Sequence, residues 1–219
     1  MSDKEKKEAV PKRILRRERE RKQRYESILK IAENLFARTG YHQTSMDKIA
    51  NESEVSVGTV YFYFKNKEDL LINLLEEIGF ELRNLLGDEF KKENHSLKGL
   101  ERVGHFFFKE YCMKFPEKTA ILLRESVGQS PLVEEKRKNI FEKLISDVKD
   151  ALNLICKNIG GTFQSELSSD VMAVSITGMF ESVAYKYLIW QERTDDLKVI
   201  SDDAVAFIIG GVKNLIKNI

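Results

Sequence analysis

Apolar residues recur along this chain at the spacing of amphipathic helices. Near the N-terminus, Ile28, Ala32, Leu35 and Phe36 lie within a few positions of one another, and charged or polar residues occupy most positions around them. This spacing places the four side chains on one face of a helix. Comparable stripes continue to the C-terminus, whereas no segment alternates apolar and polar residues as a strand would. The pattern therefore predicts an all-α protein.

The stripes and the polar breaks between them predict nine helices. Turn residues mark two of the clearest breaks, at residues 128–131 and at Gly160-Gly161. Pro131 is well placed to begin a helix, because the first turn needs no amide hydrogen from it. The predicted helices are residues 21–38, 45–53, 57–64, 67–92, 97–115, 117–126, 131–158, 169–193 and 201–217.

Residues 44–69 predict two short helices and the start of a third within one compact stretch. Thr44 with Asp47 three positions later resembles a capping box, which opens the first helix. Ser56 is the expected N-cap of the second helix, and Asn66 repeats the capping spacing ahead of the third. Three helix starts so close together are typical of a helix-turn-helix unit, which is a module that binds DNA.

The second short helix separates an inner face from an outer one. Val60 and Phe64 are four positions apart, so they share the face that packs inward. Thr59, Tyr61 and Tyr63 are left for the outer surface. An aromatic outer face on a short helix of this kind favours contact with a nucleic-acid partner.

Residues 25–75 resemble the N-terminal domain of the tetracycline-repressor (TetR) family of bacterial transcription regulators. The resemblance is carried, in family order, by a helix ending in Thr39-Gly40-Tyr41, a Thr-Ser start, an Ile-Ala core and the run VYFYFKNK. It implies a nine-helix, two-domain regulator. The implied domains are a flexible basic arm (1–20), a helix-turn-helix DNA-binding domain (21–68) and a helical ligand-binding and dimerisation domain (69–219).

The resemblance also implies which positions meet DNA. Gly58 has no side chain and lets the backbone approach DNA, whereas Tyr61 and Tyr63 are placed to reach phosphate. Val57 stands where the family often has a long polar residue, which weakens direct base reading. The alternative is that Tyr61 and Phe62 belong to the core. The implied DNA-binding residues are Thr44, Ser45, Val57, Gly58, Thr59, Tyr61, Phe62, Tyr63 and Lys67.

The charge is divided unevenly between the two parts of the chain. Residues 1–67 hold 16 Lys and Arg against 10 Asp and Glu, a net charge of +6, and the remainder holds 20 against 25, a net −5. A cationic field of this kind attracts the phosphate backbone. Residues 16–24 are densely basic and run into the first helix, so they meet either backbone or minor groove, or remain solvated.

Aromatic and aliphatic residues of the second domain are candidates for a ligand pocket. The stretch 97–115 is apolar on almost every side, which fits either a pocket wall or a packed core. Arg124 and Glu125 are expected either to anchor a polar ligand head or to form a surface or interhelix ion pair. The candidate ligand-binding residues are Phe107, Tyr111, Leu123, Phe141, Met179, Phe180 and Val183.

The last two predicted helices carry small residues among apolar ones. Gly178 lies in one helix and Gly210-Gly211 in the other. Glycine inside a helix costs about 1 kcal/mol, so close packing should offset it. The resemblance implies that these helices form a homodimer interface in which Tyr187 and Trp190 are anchors. Packing within one chain is the alternative.

Other classes of function find little support in the sequence. His42, His95 and His105 fit neither a metal-ligand spacing nor a catalytic motif, so we expect no enzyme, metal or cofactor. Cys112 and Cys156 predict free buried thiols in a cytoplasmic protein that does not enter a membrane. The resemblance implies a repressor released from a palindromic operator by a small molecule, and the apolar second domain suggests that this effector is hydrophobic or amphipathic, such as a lipid-like molecule. A helical ligand-binding or scaffold protein without specific DNA binding is the alternative.

Overall fold

The structure is a computed structural model that describes residues 12–217. Over this range it is almost entirely helical, and its nine α-helices confirm the predicted fold class. The helices are α1 (Lys12–Thr39), α2 (Met46–Glu52), α3 (Val57–Tyr63), α4 (Lys67–Lys91), α5 (Leu97–Phe106), α6 (Pro116–Ala120), α7 (Pro131–Asn158), α8 (Ser168–Ala184) and α9 (Leu197–Leu215).

Three of the predicted helices are longer than these α-helical bounds because they continue with π-helical geometry. The π-helical segments Phe107–Cys112, Ile121–Glu125 and Tyr185–Trp190 follow α5, α6 and α8 directly. Two-residue strands β1 (Thr162–Phe163) and β2 (Ile216–Lys217) pair antiparallel. This pairing was not predicted, because two residues are too few to show an alternating pattern.

The first helix begins earlier than predicted. It starts at Lys12 rather than at residue 21, so the part of the predicted basic arm that the structure describes, residues 12–20, is helical. The remainder of that arm, residues 1–11, lies outside the described residues. No apolar stripe marks residues 12–20, which is why periodicity alone missed this extension. The division of the chain at residues 20 and 68 stays a prediction.

One buried cluster joins the helix-turn-helix to the next helices. Ile28 and Phe36 of α1, Val60 of α3 and the following Phe64 are all fully buried, as their spacing predicted. The same cluster continues through the buried leucines of α4 and reaches the residues at the ends of α5 and α6. Because this apolar core is continuous, movement of α4 relative to α1 must repack it.

A second buried cluster lies at the other end of the molecule. It joins α7, α8 and α9 through residues such as Leu152, Met172 and Ile208. Both cysteines are free and buried, as predicted, with Cys112 in the π-helical extension of α5 and Cys156 in α7. Burial raises the pKa of the Cys112 thiol to about 12, so it stays protonated at neutral pH.

Residues 12–217 contain neither a membrane-spanning helix nor a cluster of metal-binding side chains. None of the helices within residues 12–217 combines the length and the apolarity that crossing a bilayer requires. In the same range, no three His, Cys, Asp or Glu side chains cluster as a metal site would require.

Candidate DNA-binding surface and cavity

Side-chain caps fix the three helix starts of the helix-turn-helix. The Ser56 hydroxyl accepts from the Thr59 amide at 3.1 Å, and the Asn66 amide oxygen accepts from the Asp69 amide at 2.7 Å, as predicted. The cap of α2 differs from the prediction. It is Ser45, whose hydroxyl accepts from the Lys48 amide at 3.1 Å. These caps satisfy amides that the helices leave unpaired, and so they fix where α2 and α3 begin.

Thr44 and Lys67 hold the turn before α2 from the inside. Thr44 is buried, and its hydroxyl donates to the Gly40 carbonyl at 2.9 Å. The Lys67 ammonium donates to the carbonyls of Tyr41 at 2.7 Å and Thr44 at 2.9 Å, and it lies over the Tyr41 ring. Burial lowers the pKa of Lys67. Both side chains are therefore committed to internal contacts that position the site.

The outer face of α3 presents aromatic side chains to solvent. Tyr61 is 51% exposed and Phe62 is 68% exposed, which excludes the alternative that they belong to the core. A carbon added at Gly58 would meet only the Ser56 hydroxyl, at 3.8 Å, so the helix surface is open there. Val57 is half-buried and packs against the core, which leaves it little surface to offer a base edge.

The basic start of α1 lies beside this face. The Arg21 guanidinium is 5.5 Å from the centre of the Phe62 ring, a cation–π arrangement. Farther along α1, the Tyr25 ring packs edge-on against Tyr63 at 6.2 Å and stacks on Phe64 at 5.1 Å. The two helices therefore share an aromatic seam, and α1 extends beyond it in the N-terminal direction.

Arg124 and Glu125 connect the second domain to the helix-turn-helix. Glu125 accepts a hydrogen bond from the Tyr41 amide at 2.8 Å, and Arg124 donates to the Ala37 carbonyl at 3.0 Å. The two side chains also pair with each other. Of the two roles predicted for this pair, an ion pair is the one observed. Its contact with the end of α1 was not predicted, because those partners lie more than 80 residues away.

A cavity of about 410 Å³ opens between α4, α5 and α7. This volume falls within the range of about 300–1,000 Å³ that is usual for small-molecule sites. Most of its wall is apolar. The apolar lining residues are Phe80, Leu86, Phe90, Leu100, Val103, Leu144, Val148, Ala151 and Leu154.

Charged groups and a tight helix crossing frame the cavity. Arg83 of α4 and Asp147 of α7 both line it, and they form a two-point ion pair with N–O distances of 2.6 and 2.8 Å. One turn earlier in α4, a carbon added at Gly79 would lie 3.0 Å from the Ile140 side chain. Helices α4 and α7 therefore touch at Gly79, and the cavity begins where they separate.

The seven predicted ligand-binding residues lie in another part of the domain. Phe107 stacks parallel to Tyr111 at 6.2 Å and packs against Phe180 at 5.3 Å. Leu123 is buried, and the other three pack against the same core. None of the seven lines the cavity described above. The aromatic residues among these seven belong to a packed interior, and their abundance in the sequence does not indicate where the cavity lies.

Helices α8 and α9 share an unusually apolar exposed surface. Val171 and Val174 of α8 are more than half exposed, and Phe207 of α9 is 76% exposed. A carbon added at Gly178 or Gly210 would meet no atom within 4 Å. These glycines are therefore not explained by close packing within the described chain. Trp190 is also largely exposed, at 74%.

Comparisons with known proteins fit this architecture. Residues 28–74 match the model of the bacterial regulatory proteins of the tetR family. The chain is 25% identical over 197 residues to the fatty acid metabolism regulator protein of Bacillus subtilis, covering 90% of this chain and 99% of that protein. It is 29% identical over 159 residues to the HTH-type transcriptional regulator QacR of Staphylococcus aureus, covering 68% and 77%.

A solved structure shows the same fold. The transcriptional regulator FadR from Bacillus subtilis, in complex with stearoyl-CoA, has a TM-score of 0.75 and 22% identity, and the match covers 85% of this chain and 98% of that one. The two chains therefore share their fold over most of their length.

Proposed function

We propose that this chain, which belongs to the TetR family of bacterial transcriptional regulators, represses transcription from a palindromic operator until an amphipathic effector enters its second domain. The family was predicted from residues 25–75, and the match over residues 28–74 confirms it. The finer parts of the proposal are the DNA-contacting residues, the dimer interface and the effector cavity.

The open face of α3 is the observation that carries the proposal. Tyr61 and Phe62 are exposed, so they are not part of the core. Gly58 leaves room for the helix backbone to lie close to DNA. We assign base-edge and phosphate contacts to Gly58, Thr59, Tyr61 and Phe62. Ser45 lies exposed at the N-terminus of α2 and contacts phosphate. Thr44 and Lys67 position these groups from within.

The exposed surface of α8 and α9 is the proposed homodimer interface. Apolar side chains such as Val174 and Phe207 gain by leaving water, and open glycines such as Gly178 let a second pair of helices approach closely. A two-fold axis there would present two copies of α3 to one face of DNA. Phe207→Glu should convert the dimer to a monomer in sedimentation analysis, and an unchanged dimer would refute this interface.

The cavity between α4, α5 and α7 is the proposed effector site, and none of the seven residues predicted from the sequence lines it. Its apolar wall suits a hydrocarbon chain, and the Arg83–Asp147 pair offers polar contacts for a head group. Two comparisons favour a lipid-like effector: one relative is a fatty acid metabolism regulator, and a structure of the same fold holds stearoyl-CoA. Stearoyl-CoA is therefore the first probe to test.

Helix α4 connects the two sites. Its first residue is Lys67, which clamps the turn before α2, and its second half lines the cavity. A ligand that separates α4 from α7 beyond Gly79 would tilt α4. In the dimer this would change the spacing of the two reading heads, which are the helix-turn-helix units formed by α1–α3. The effector must bind the altered spacing more tightly than the DNA-bound spacing, or it shifts nothing.

Binding to DNA from the region upstream of the gene tests the proposal. Fluorescence anisotropy should show binding to a duplex carrying an inverted repeat from that region at least 10³-fold tighter than to a random duplex of equal length. Equal weak binding to both duplexes would support a helical ligand-binding or scaffold protein instead. Stearoyl-CoA, titrated into the specific complex, should release the DNA, and stearate is the control for the head group.

A further inference from the structure

The N-terminal extension of α1 carries a strip of arginines that continues the core face of that helix. Arg17, Arg21, Arg24 and Ile28 follow one another at spacings of four, three and four residues, which returns them to one side of the helix. Ile28 is fully buried in the reading head, whereas the three arginines are exposed. The face that supplies core contacts after residue 25 therefore supplies positive charge before it.

The charge on this extension is large for its length. Residues 12–24 hold eight Lys and Arg against two Asp and Glu, a net charge of +6. The two acidic residues leave much of the charge free: Glu20 pairs with Arg16, while Arg17, Arg21 and Arg24 make no ion pair with any residue in 12–217. A helix of 13 residues is about 20 Å long. Self-repulsion over that length favours a polyanionic partner.

The strip points to the same partner as α3. Arg21 lies over the ring of Phe62, which is exposed on the outer face of α3, and Tyr25 packs against the next residue, Tyr63. The arginines therefore begin where the aromatic face of α3 ends. A duplex lying against Tyr61 and Phe62 and continuing past the end of α3 would bring its phosphates towards the strip.

We propose that Arg17, Arg21 and Arg24 form a phosphate clamp that grips the DNA backbone flanking the half-site contacted by α3. This inference rests on the proposed DNA-binding function and adds a contact surface to it. The clamp strengthens binding to every sequence, because phosphate contacts carry no base information. It also lengthens the footprint of each protomer beyond the base pairs that α3 meets.

A matched pair of triple variants tests the clamp. The clamp variant is Arg17→Ala with Arg21→Ala and Arg24→Ala. The control is Arg16→Ala with Arg19→Ala and Lys22→Ala, which removes the same charge from exposed positions of the same segment that lie outside the strip. All six side chains are exposed, so both variants should keep the wild-type circular dichroism and melting temperature.

The expected readout is the salt dependence of binding to the upstream duplex. Three lost phosphate contacts per protomer should reduce the slope of log affinity against log salt by about 3, or roughly 5 for a dimer. Affinity at 0.1 M salt should fall at least about tenfold in the clamp variant and much less in the control. Hydroxyl-radical footprints should shorten at the outer edges of the operator in the clamp variant alone.

Each contrary result has a distinct meaning. Equal slopes in the two variants would overturn the clamp, because then only net charge matters. A footprint of wild-type length in the clamp variant would overturn it as well. Tight binding of the wild type, but not of the clamp variant, to vesicles with anionic lipid, without an effect on DNA, would assign the strip to membranes. If the wild type itself fails to prefer the inverted repeat, the proposed function fails first.

Discussion

The reading head and the second domain are built from the same kind of amphipathic helix, yet their candidate sites differ in origin. The proposed DNA-binding surface comes mainly from residues 56–63, which are neighbours in sequence and are placed by local caps. The cavity comes from α4, α5 and α7, and its wall joins Phe80 to residues more than 60 positions later, such as Leu144. A site fixed by local geometry is visible in sequence, whereas a gap between distant helices is not.

The largest expected effect separates buried from exposed aromatics within the head. Phe64→Ala removes a fully buried ring and should cost about 3–5 kcal/mol of unfolding free energy in chemical denaturation. Phe62→Ala is the control, since that ring is 68% exposed, and it should change stability by less than about 0.5 kcal/mol. Phe62→Ala should instead weaken operator binding. Comparable destabilisation by both substitutions would show that the outer face of α3 is structural.

A smaller effect concerns the hydrogen bonds by which Lys67 holds the turn before α2. Lys67→Met keeps the length of the side chain but removes its hydrogen bonds to the Tyr41 and Thr44 carbonyls. Loss of charged hydrogen bonds should cost about 1.5–3 kcal/mol of unfolding free energy and should weaken operator binding as well. Lys65→Met removes the same charge from an exposed position nearby, and it should leave stability unchanged. Equal stability losses in the two variants would show that the hydrogen bonds of Lys67 do not stabilise the turn.

The sequence revealed most of the head because its signals act over a few residues. Ser56 and Asn66 were identified as caps from spacing alone, and Gly40, which follows the end of α1, has a positive φ of 94° that favours glycine. The one misplaced cap, Thr44 for Ser45, involved two adjacent hydroxyl residues that both suit the position. Only burial of Thr44 against the end of α1 decides between them, and burial depends on tertiary packing.

For the second domain, the sequence predicted the helices but not the residues that line the cavity. An apolar helix such as α5 looks the same in sequence whether its side chains meet a neighbour or face a gap. Phe107 and Tyr111 turned out to fill the core, whereas Val103, one turn earlier, lines the cavity. Which of them faces a gap depends on how α4 and α7 diverge after Gly79. The close contact of Gly79 with Ile140 joins residues that are far apart in sequence, so no local pattern encodes it.

Filling the cavity tests whether the effector binds there. Ala151 lines the cavity from α7, and Ala151→Phe places a ring in the space proposed for an acyl chain. Affinity for stearoyl-CoA should fall at least about tenfold, or about 1.4 kcal/mol, in isothermal titration calorimetry. Operator binding should remain, so the variant should repress without release. Asn153→Phe is the control, because that residue is exposed on the same helix; a similar loss there would refute the site.

The smallest expected effect on stability concerns Glu77, where α4 faces α1. Glu77 lies exposed on α4, and partial desolvation by the surrounding protein, together with Glu26 and Glu33 of α1 and Glu81 of α4, raises its carboxyl pKa, while Lys118 opposes the shift. The folded protein therefore holds this proton more tightly than the unfolded chain does. By linkage, the contribution of Glu77 to stability decreases as pH rises from the ordinary carboxyl pKa through the raised one.

Glu77→Gln removes that dependence, because glutamine does not ionise. The melting temperature of the variant should match the wild type near pH 4, where Glu77 is protonated, and exceed it slightly at pH 7. Glu76→Gln is the neighbouring comparison, since Glu76 is exposed and pairs with Lys136. That substitution should instead lower stability, by about 0.2–1 kcal/mol or less. Glu77→Gln could instead lower the melting temperature at pH 7, as Glu76→Gln does. That result would show that the ionised carboxylate of Glu77 stabilises the contact between α1 and α4.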